Sequence, residues 1–314
     1  MNVRLKDPRT KRLLEQFSII IMIFLLGVLF SVINTRFMSV SNLTNIIRQA
    51  SIMIVVACGS TFVMIGGNID IAVGAVGCLT SIVTALMMKS GVSMFVAIPV
   101  ALVLSSFLGM CSGMLVTKYT IPPMIATLAM MNLCTGVANL LTSGTAVYGL
   151  PENFDLWGRG YIGPIPMQVV VMVIVAVICH LLLSRTPFGR HVYAIGGNPR
   201  VAQLSGIKVD RDVRLHYIIG GLCSALAGIM MCSRMGSAQP TMGTQWSMDN
   251  ITAIVIGGNS FRGGSGSIIN SVLGVLLLTI ITNGLNIIGV NVFWQLVVTS
   301  VILIITIVMN ARRT

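Results

Sequence analysis

The amino-acid sequence predicts an all-α, polytopic membrane protein with about ten transmembrane helices. Three observations carry that prediction. Hydrophobic residues make up 55% of the 314-residue chain and charged residues only 9%, whereas a soluble domain carries about 25% charge on average. The apolar residues are gathered into runs, and about 20 such residues are needed for a helix to cross the hydrocarbon core. The segments between the runs are short and rich in Gly, Asn, Pro and basic residues, which leaves no stretch long enough for a soluble domain.

Taken in order, the candidate spans cover residues 17–34, 43–65, 70–88, 95–117, 124–142, 167–184, 213–233, 249–258, 268–287 and 293–309. Residues 1–16 form a basic head. Such a head before an apolar core also opens a signal peptide, but this run is long enough to span and no A-x-A-like site follows, so it is read as a first helix that stays attached. The eighth run, DNITAIVIGG, is short and is expected to extend back into QWSM. With ten spans both termini fall on one side. Placing the N-terminus in the cytoplasm puts fifteen Lys and Arg inside and five outside, at Arg36, Arg48, Lys89, Arg159 and Arg234. That asymmetry follows the positive-inside rule, and it accounts for the net charge of +12 without nucleic acid as a partner. Trp157, Trp246 and Trp294 then fall near external span ends, where indoles prefer the headgroup region. The two longer polar connections are 143–166, outside, and 185–212, inside.

Several chemistries find no support in the sequence. No GxxxxGK[ST] occurs, so there is no P-loop to hold nucleotide phosphates. HExxH, GxSxG and the kinase signatures are missing too. His180, His191 and His216 are far apart and show no ligand spacing, and none of the seven cysteines forms a CxxC. The cysteines read as small apolar residues for helix packing. No catalytic residue and no metal ligand set is expected.

The tetrapeptide IGGN occurs three times, at Ile65–Asn68, Ile195–Asn198 and Ile256–Asn259. A glycine pair permits positive φ and can end a helix within a few residues, and in a membrane such breaks belong at the interface or inside protein. The first copy supplies Gly66 and Gly67, followed by Asp70 and Gly74. A carboxylate at the bilayer centre costs about 2.5–3.5 kcal/mol. Asp70 directly precedes the third span and is expected to cap it; an ion or proton site is the other reading. The third copy supplies Gly257 and Gly258, then Gly263, Gly264 and Gly266 as a tight connection, with Ser265 or Ser267 placed to cap the ninth span. The second copy differs. Asn198 is a good N-cap, Pro199 suits the first helical position, and Gly206 is placed to stop the helix in the left-handed region. Between them Arg200, Val201, Ala202, Leu204 and Ser205 form a helix of about two turns outside the membrane, with Val201 and Leu204 on one face. Such a helix is too short to be stable alone. It needs a groove in a partner, or else the lipid interface.

The stretches GGNIDIAVGA, YAIGGNPRVAQLSGI and VIGGNSFRGGSGS, in this order between residues 66 and 267, resemble those of the membrane subunit of a ribose-type, binding-protein-dependent ABC importer. Two positions depart from that family's pattern, Ala72 where serine is usual and Val201 where a smaller residue is typical. The resemblance implies an ABC importer permease fold over residues 17–314, in a bacterial cytoplasmic (inner) membrane. It implies that this chain and a second copy or paralogue form a pathway for a monosaccharide, pentose or hexose, or a similar small polar solute. A secreted or periplasmic solute-binding protein would deliver the solute. A cytoplasmic ABC ATPase would bind ATP and Mg, this chain holding no cofactor of its own. Residues 185–212 would be the coupling loop, with Asn198–Gly206 as the helix that docks on the ATPase. Asn132, Asn139, Asn283 and Asn286 lie in apolar stretches and either line the pathway or pair between helices, a use worth about 1 kcal/mol. The alternative is an ion-coupled secondary transporter. Such proteins place ionisable groups within their spans, whereas Glu15, Asp70, Asp212 and Asp249 fall at or near span edges.

Overall fold

A computed structural model describes residues 8–311. The basic residues Arg4, Lys6, Arg312 and Arg313, which enter the charge asymmetry, lie outside the described residues. The chain is helical almost throughout. In order it forms α1 (Pro8–Ile33), α2 (Val40–Ile65), α3 (Val73–Lys89), α4 (Met94–Thr117), α5 (Pro123–Thr142), the single turn α6 (Asp155–Gly158), α7 (Met167–Arg185), α8 (Pro187–Gly197), α9 (Pro199–Leu204), α10 (Val209–Met235), α11 (Trp246–Ile256), α12 (Ile268–Ile287) and α13 (Val292–Ala311). Between α6 and α7 a small antiparallel hairpin pairs Tyr161–Ile162 with Ile165–Pro166. Six helices, α2, α4, α5, α7, α10 and α12, are long and apolar enough to cross a membrane, and Phe17–Ile33, α3 and Val292–Thr306 are shorter apolar helices.

Helix α10 is the hub and packs on α2, α3 and α4. Its crossings are made by glycine. A Cβ on Gly109 would strike the Tyr217 carbonyl, one on Gly221 would lie 2.5 Å from the Ser105 carbonyl oxygen, and one on Gly59 would lie 3.0 Å from the Gly220 Cα. Lipid tails are as apolar as leucine, so helices in a membrane associate through close backbone approach rather than hydrophobic burial. The outer helices show the complementary pattern. Phe24 on α1, Leu140 on α5 and Phe293 on α13 are 69%, 82% and 75% exposed, a surface suited to lipid or to another helix.

Two helices start part-way through the bundle. Residues 66–72 leave the end of α2 through a turn at Gly66–Gly67 and run as irregular chain beside α10 before α3 begins. The Tyr217 hydroxyl donates to the Ile69 carbonyl at 3.3 Å, and the Ser247 hydroxyl donates to the Ile71 carbonyl at 2.6 Å. These bonds satisfy backbone that a helix would otherwise satisfy, as irregular chain at membrane depth requires. Asp70 comes within 3.7 Å of a Cβ position on Gly220, which places it about 16 Å along α10 from Val209 at 1.5 Å per residue. Asp70 therefore precedes α3, as the sequence suggested, while lying beside the middle of α10. It is not the cap of α3: the N-cap is Ala72, with no side-chain capping bond, and Asp70 Oδ1 instead accepts from the Ala72 N–H at 2.8 Å.

Helix α11 begins opposite α3. The Trp246 ring lies against the Cβ position of Gly77 at 3.2 Å, and Gly243 meets Gly74 backbone to backbone. Trp246 is thus buried at a helix crossing and does not mark an external span end as expected. The extension of the short eighth span back through QWSM is present, since α11 starts at Trp246.

Candidate functional site

The first two IGGN copies meet the loop that follows the third. Ile65 ends α2, Gly197 ends α8, and the third copy ends α11 and leads into the loop before α12. The Gly264 N–H donates to the Ile65 carbonyl at 2.8 Å. A Cβ on Gly196 would fall on that same carbonyl and 2.5 Å from the Gly264 nitrogen. One on Gly263 would lie 2.7 Å from the Gly67 Cα, and one on Gly264 would lie 3.1 Å from the Gly197 Cα. Backbone touches backbone among the first two copies and the loop that follows the third, so these three segments form a single glycine knot at one end of the bundle.

Each asparagine of the repeat has a different task. Asn68 Nδ2 donates to the Gly66 carbonyl at 3.2 Å. Asn198 Oδ1 accepts from the N–H groups of Arg200 and Val201 at 3.0 and 3.1 Å, capping α9. Asn259 Oδ1 accepts from the Ser267 N–H at 2.7 Å while its Nδ2 donates to the Ile254 carbonyl and to Ser271 Oγ, both at 2.9 Å, lacing the third loop shut. Tyr193 of α8 donates to the Gly266 carbonyl at 2.9 Å. Gly67, Gly258, Gly263 and Gly264 hold φ of +78°, +93°, +87° and +74°, where a side chain is strained. Gly66 and Gly257 have ordinary negative φ; they are glycine for space. A Cβ on Gly66 would lie 2.5 Å from the ring Nδ1 of the buried His216, and one on Gly257 would strike the Asn270 carbonyl. Ser267, one of the two serines suggested, caps α12 by accepting from Asn270 N–H at 3.1 Å.

From the knot projects α9. Its start is fixed by Asn198 and Pro199 and its stop by Gly206 at φ +85°. One residue anchors it: Ala202 is 3% exposed and packs with Val63, Ile195, Val213 and Tyr217. Its other face is bare, with Val201 and Leu204 57% and 78% exposed, and Arg200, Gln203 and Ser205 exposed beside them. The sequence missed α8, whose cap Thr186 accepts from the Gly189 N–H; Thr186-Pro187 is the local signal for it. Helix α8 is braced by His191 Nδ1, which donates to the Asp212 carboxylate on α10 at 2.7 Å. A cleft of about 530 Å³ opens beside α9, with Asn68, Thr117, Thr120, Asp210 and Arg262 in its wall.

The proposed pathway asparagines scatter. Asn283 pairs with Asn42 through two amide–amide hydrogen bonds of 3.0 Å, joining α12 to α2, so it is an interhelical link and not a free pathway group. Asn286 is exposed near the end of α12. Asn132 and Asn139 lie on the exposed side of α5, where Asn139 Nδ2 donates back to the Thr135 carbonyl at 2.8 Å.

A bundle of membrane-length helices, interrupted at two places by irregular chain and carrying a short exposed helix at one end, defines a multi-pass membrane protein. Residues 42–307 match the family described as branched-chain amino acid transport system / permease component, and the chain belongs to that family. It is 41% identical over 293 residues to the ribose import permease protein of Bacillus subtilis (strain 168), covering 93% of this chain and 91% of that one. It is 37% identical over 299 residues to the ribose import permease protein of Haemophilus influenzae, covering 94% and 92%. To the D-allose transport system permease protein of Escherichia coli (strain K12) it is 36% identical over 276 residues, covering 87% and 84%. No solved structure matches it.

Proposed function

We propose that this chain is the permease subunit of a monosaccharide ABC importer, and that α9 is where a separate ATPase drives it. The relatives named for ribose and D-allose support a pentose or hexose over the amino acids in the family's description. The observation that carries the coupling role is the bare face of α9, with Val201 and Leu204 exposed on a helix anchored only by Ala202. An apolar face of two turns with an arginine beside it fits a groove better than bulk water. In this reading the knot end faces the cytoplasm, since Lys118, Arg185, Arg190, Arg200, Lys208, Arg211, Arg214 and Arg262 gather there. Both termini are then cytoplasmic and about ten helices cross a bacterial inner membrane. The ATP and Mg belong to the ATPase, this chain having no catalytic role, and the cleft beside α9 becomes the solute's exit.

A secreted binding protein would deliver the sugar at the opposite end. The exposed side of α5, with Asn132, Thr135, Gly136 and Asn139, would face a second permease copy rather than lipid, since amides in hydrocarbon seek partners across helices. The proposal is tested by reconstituting the chain with an ABC ATPase and a sugar-loaded binding protein in liposomes. ATP-dependent uptake of D-ribose or D-allose is expected, with none from the chain alone under a sodium or proton gradient. Uphill uptake by the chain alone would replace this reading with that of an ion-coupled secondary transporter.

A further inference from the structure

In the half of the bundle away from the knot, a crevice of about 220 Å³ lies among α2, α11, α12 and α13. That is space for about seven waters at 30 Å³ each. Its lining includes Gln49, Gln245, Asp249, Thr279, Gln295 and Thr299. We propose that this crevice is a binding site for a neutral polyhydroxylated solute within the permease itself, with Asp249 as the residue that recognises its hydroxyl groups; this deepens the import reading and rests on it.

The chemistry favours a polyol. The Asp249 carboxylate meets no hydrogen-bond donor and no cation among the described residues. It sits in the first turn of α11, at the positive end of the helix dipole. Both oxygens are left to accept from a ligand. Thr279 and Thr299 donate their hydroxyl protons to the Val275 and Gln295 carbonyls at 2.8 and 3.0 Å, so toward the crevice they present acceptors. Gln295 Nε2 is held by the Val290 carbonyl at 2.9 Å, which leaves that amide its Oε1 as an acceptor and one N–H as a donor. Gln49 and Gln245, exposed at the mouth, add donors to the acceptors. A sugar hydroxyl both donates and accepts and uses this mixed set. A bare cation would use only the oxygens and leave the mouth amides' N–H groups idle. Val275 and Leu278 line the crevice too and offer apolar contact to the C–H face of a sugar ring.

The experiment uses the reconstituted complex with saturating sugar-loaded binding protein, and D-ribose, D-allose and their deoxy derivatives as probes. In Asp249→Ala the uptake rate should fall about 10- to 100-fold, the range of one lost hydrogen bond to a charged group. Binding-protein-stimulated ATP hydrolysis should persist, and Asp249→Asn should recover part of the loss. The slowing caused by deleting one sugar hydroxyl should be present in the unmodified protein and vanish in Asp249→Ala. Thr299→Val, which removes an acceptor without touching charge, should give a smaller loss of the same kind. Unchanged uptake in Asp249→Ala overturns the assignment, as does loss of assembly and ATPase stimulation together, which would make Asp249 structural. Sodium-dependent uptake that loses its sodium dependence in Asp249→Asn, with sugar discrimination intact, would make this a cation site instead. If the unmodified complex moves no sugar, the import reading fails and this site falls with it.

Discussion

The two ends of the bundle are built on opposite plans. At the knot, three chain segments touch through bare backbone, and even a methyl group at Gly196 would overlap the Ile65 carbonyl. In the other half the helices part, α13 stands away from α2, and a polar crevice opens between them. The close-packed end cannot change shape in small steps and moves as a unit; the open end has room to take up and release a solute. Under the proposed function, the contrast assigns transmission of motion to the first end and handling of cargo to the second.

The largest effect should come from filling the knot. Gly196→Ala should cost more than the ~1–3 kcal/mol of ordinary overpacking, because the added carbon meets backbone and not a movable side chain. Loss of the monodisperse protein in detergent, or a large fall in its thermal unfolding midpoint, is the measurement; a stable variant would show that the three segments are not in contact. Next comes Leu204→Asp. Since Leu204 is 78% exposed, the fold should survive, while uptake falls about tenfold or more through loss of a buried interface contact and ATP hydrolysis runs uncoupled. Normal coupling would remove α9 from the motor interface. Gly206→Ala should be milder. Its φ is +85° but no atom lies within 4 Å of the added Cβ, so only the left-handed strain of about 1–2 kcal/mol applies, read as a lower unfolding midpoint with coupling retained. The smallest effect should be Asn283→Leu. It breaks the pair with Asn42, a contact of the kind worth about 0.6 kcal/mol in a membrane, and uptake should be almost unchanged. Abolished uptake with an intact fold would return Asn283 to the pathway.

What could be seen in the sequence was local. The apolar runs located the helices to within a few residues, as at 268–287 for α12 and 94–117 for α4, because hydrophobicity and length suffice for a membrane helix. Helix α9 was legible for the same reason: Asn198, Pro199 and Gly206 act on their immediate neighbours. The meeting of the first two IGGN copies with the loop after the third was not legible, since it depends on how α2 and α8 end in space and where the loop before α12 runs. The repetition was a hint, as three identical breaks can share one meeting point. Asp70 was placed correctly just ahead of α3, but its side chain bonds the Ala72 N–H instead of capping the helix, and only the packing of residues 66–72 against Tyr217 and Ser247 reveals the irregular run before it. The crevice draws on Gln49, Asp249 and Gln295 from three distant helices. Its one sequence trace is the recurrence of polar groups three or four residues apart inside apolar runs, as at Thr279–Thr282 and Gln295–Thr299.

Ala202 ties α9 to the body through a single small side chain, while the residues just ahead of α9 are wedged between Ile65 and Gly264. If a partner pushes on the protruding helix, as proposed, the force meets bare backbone at once and reaches the ends of α2 and α8 and the loop that launches α12 together.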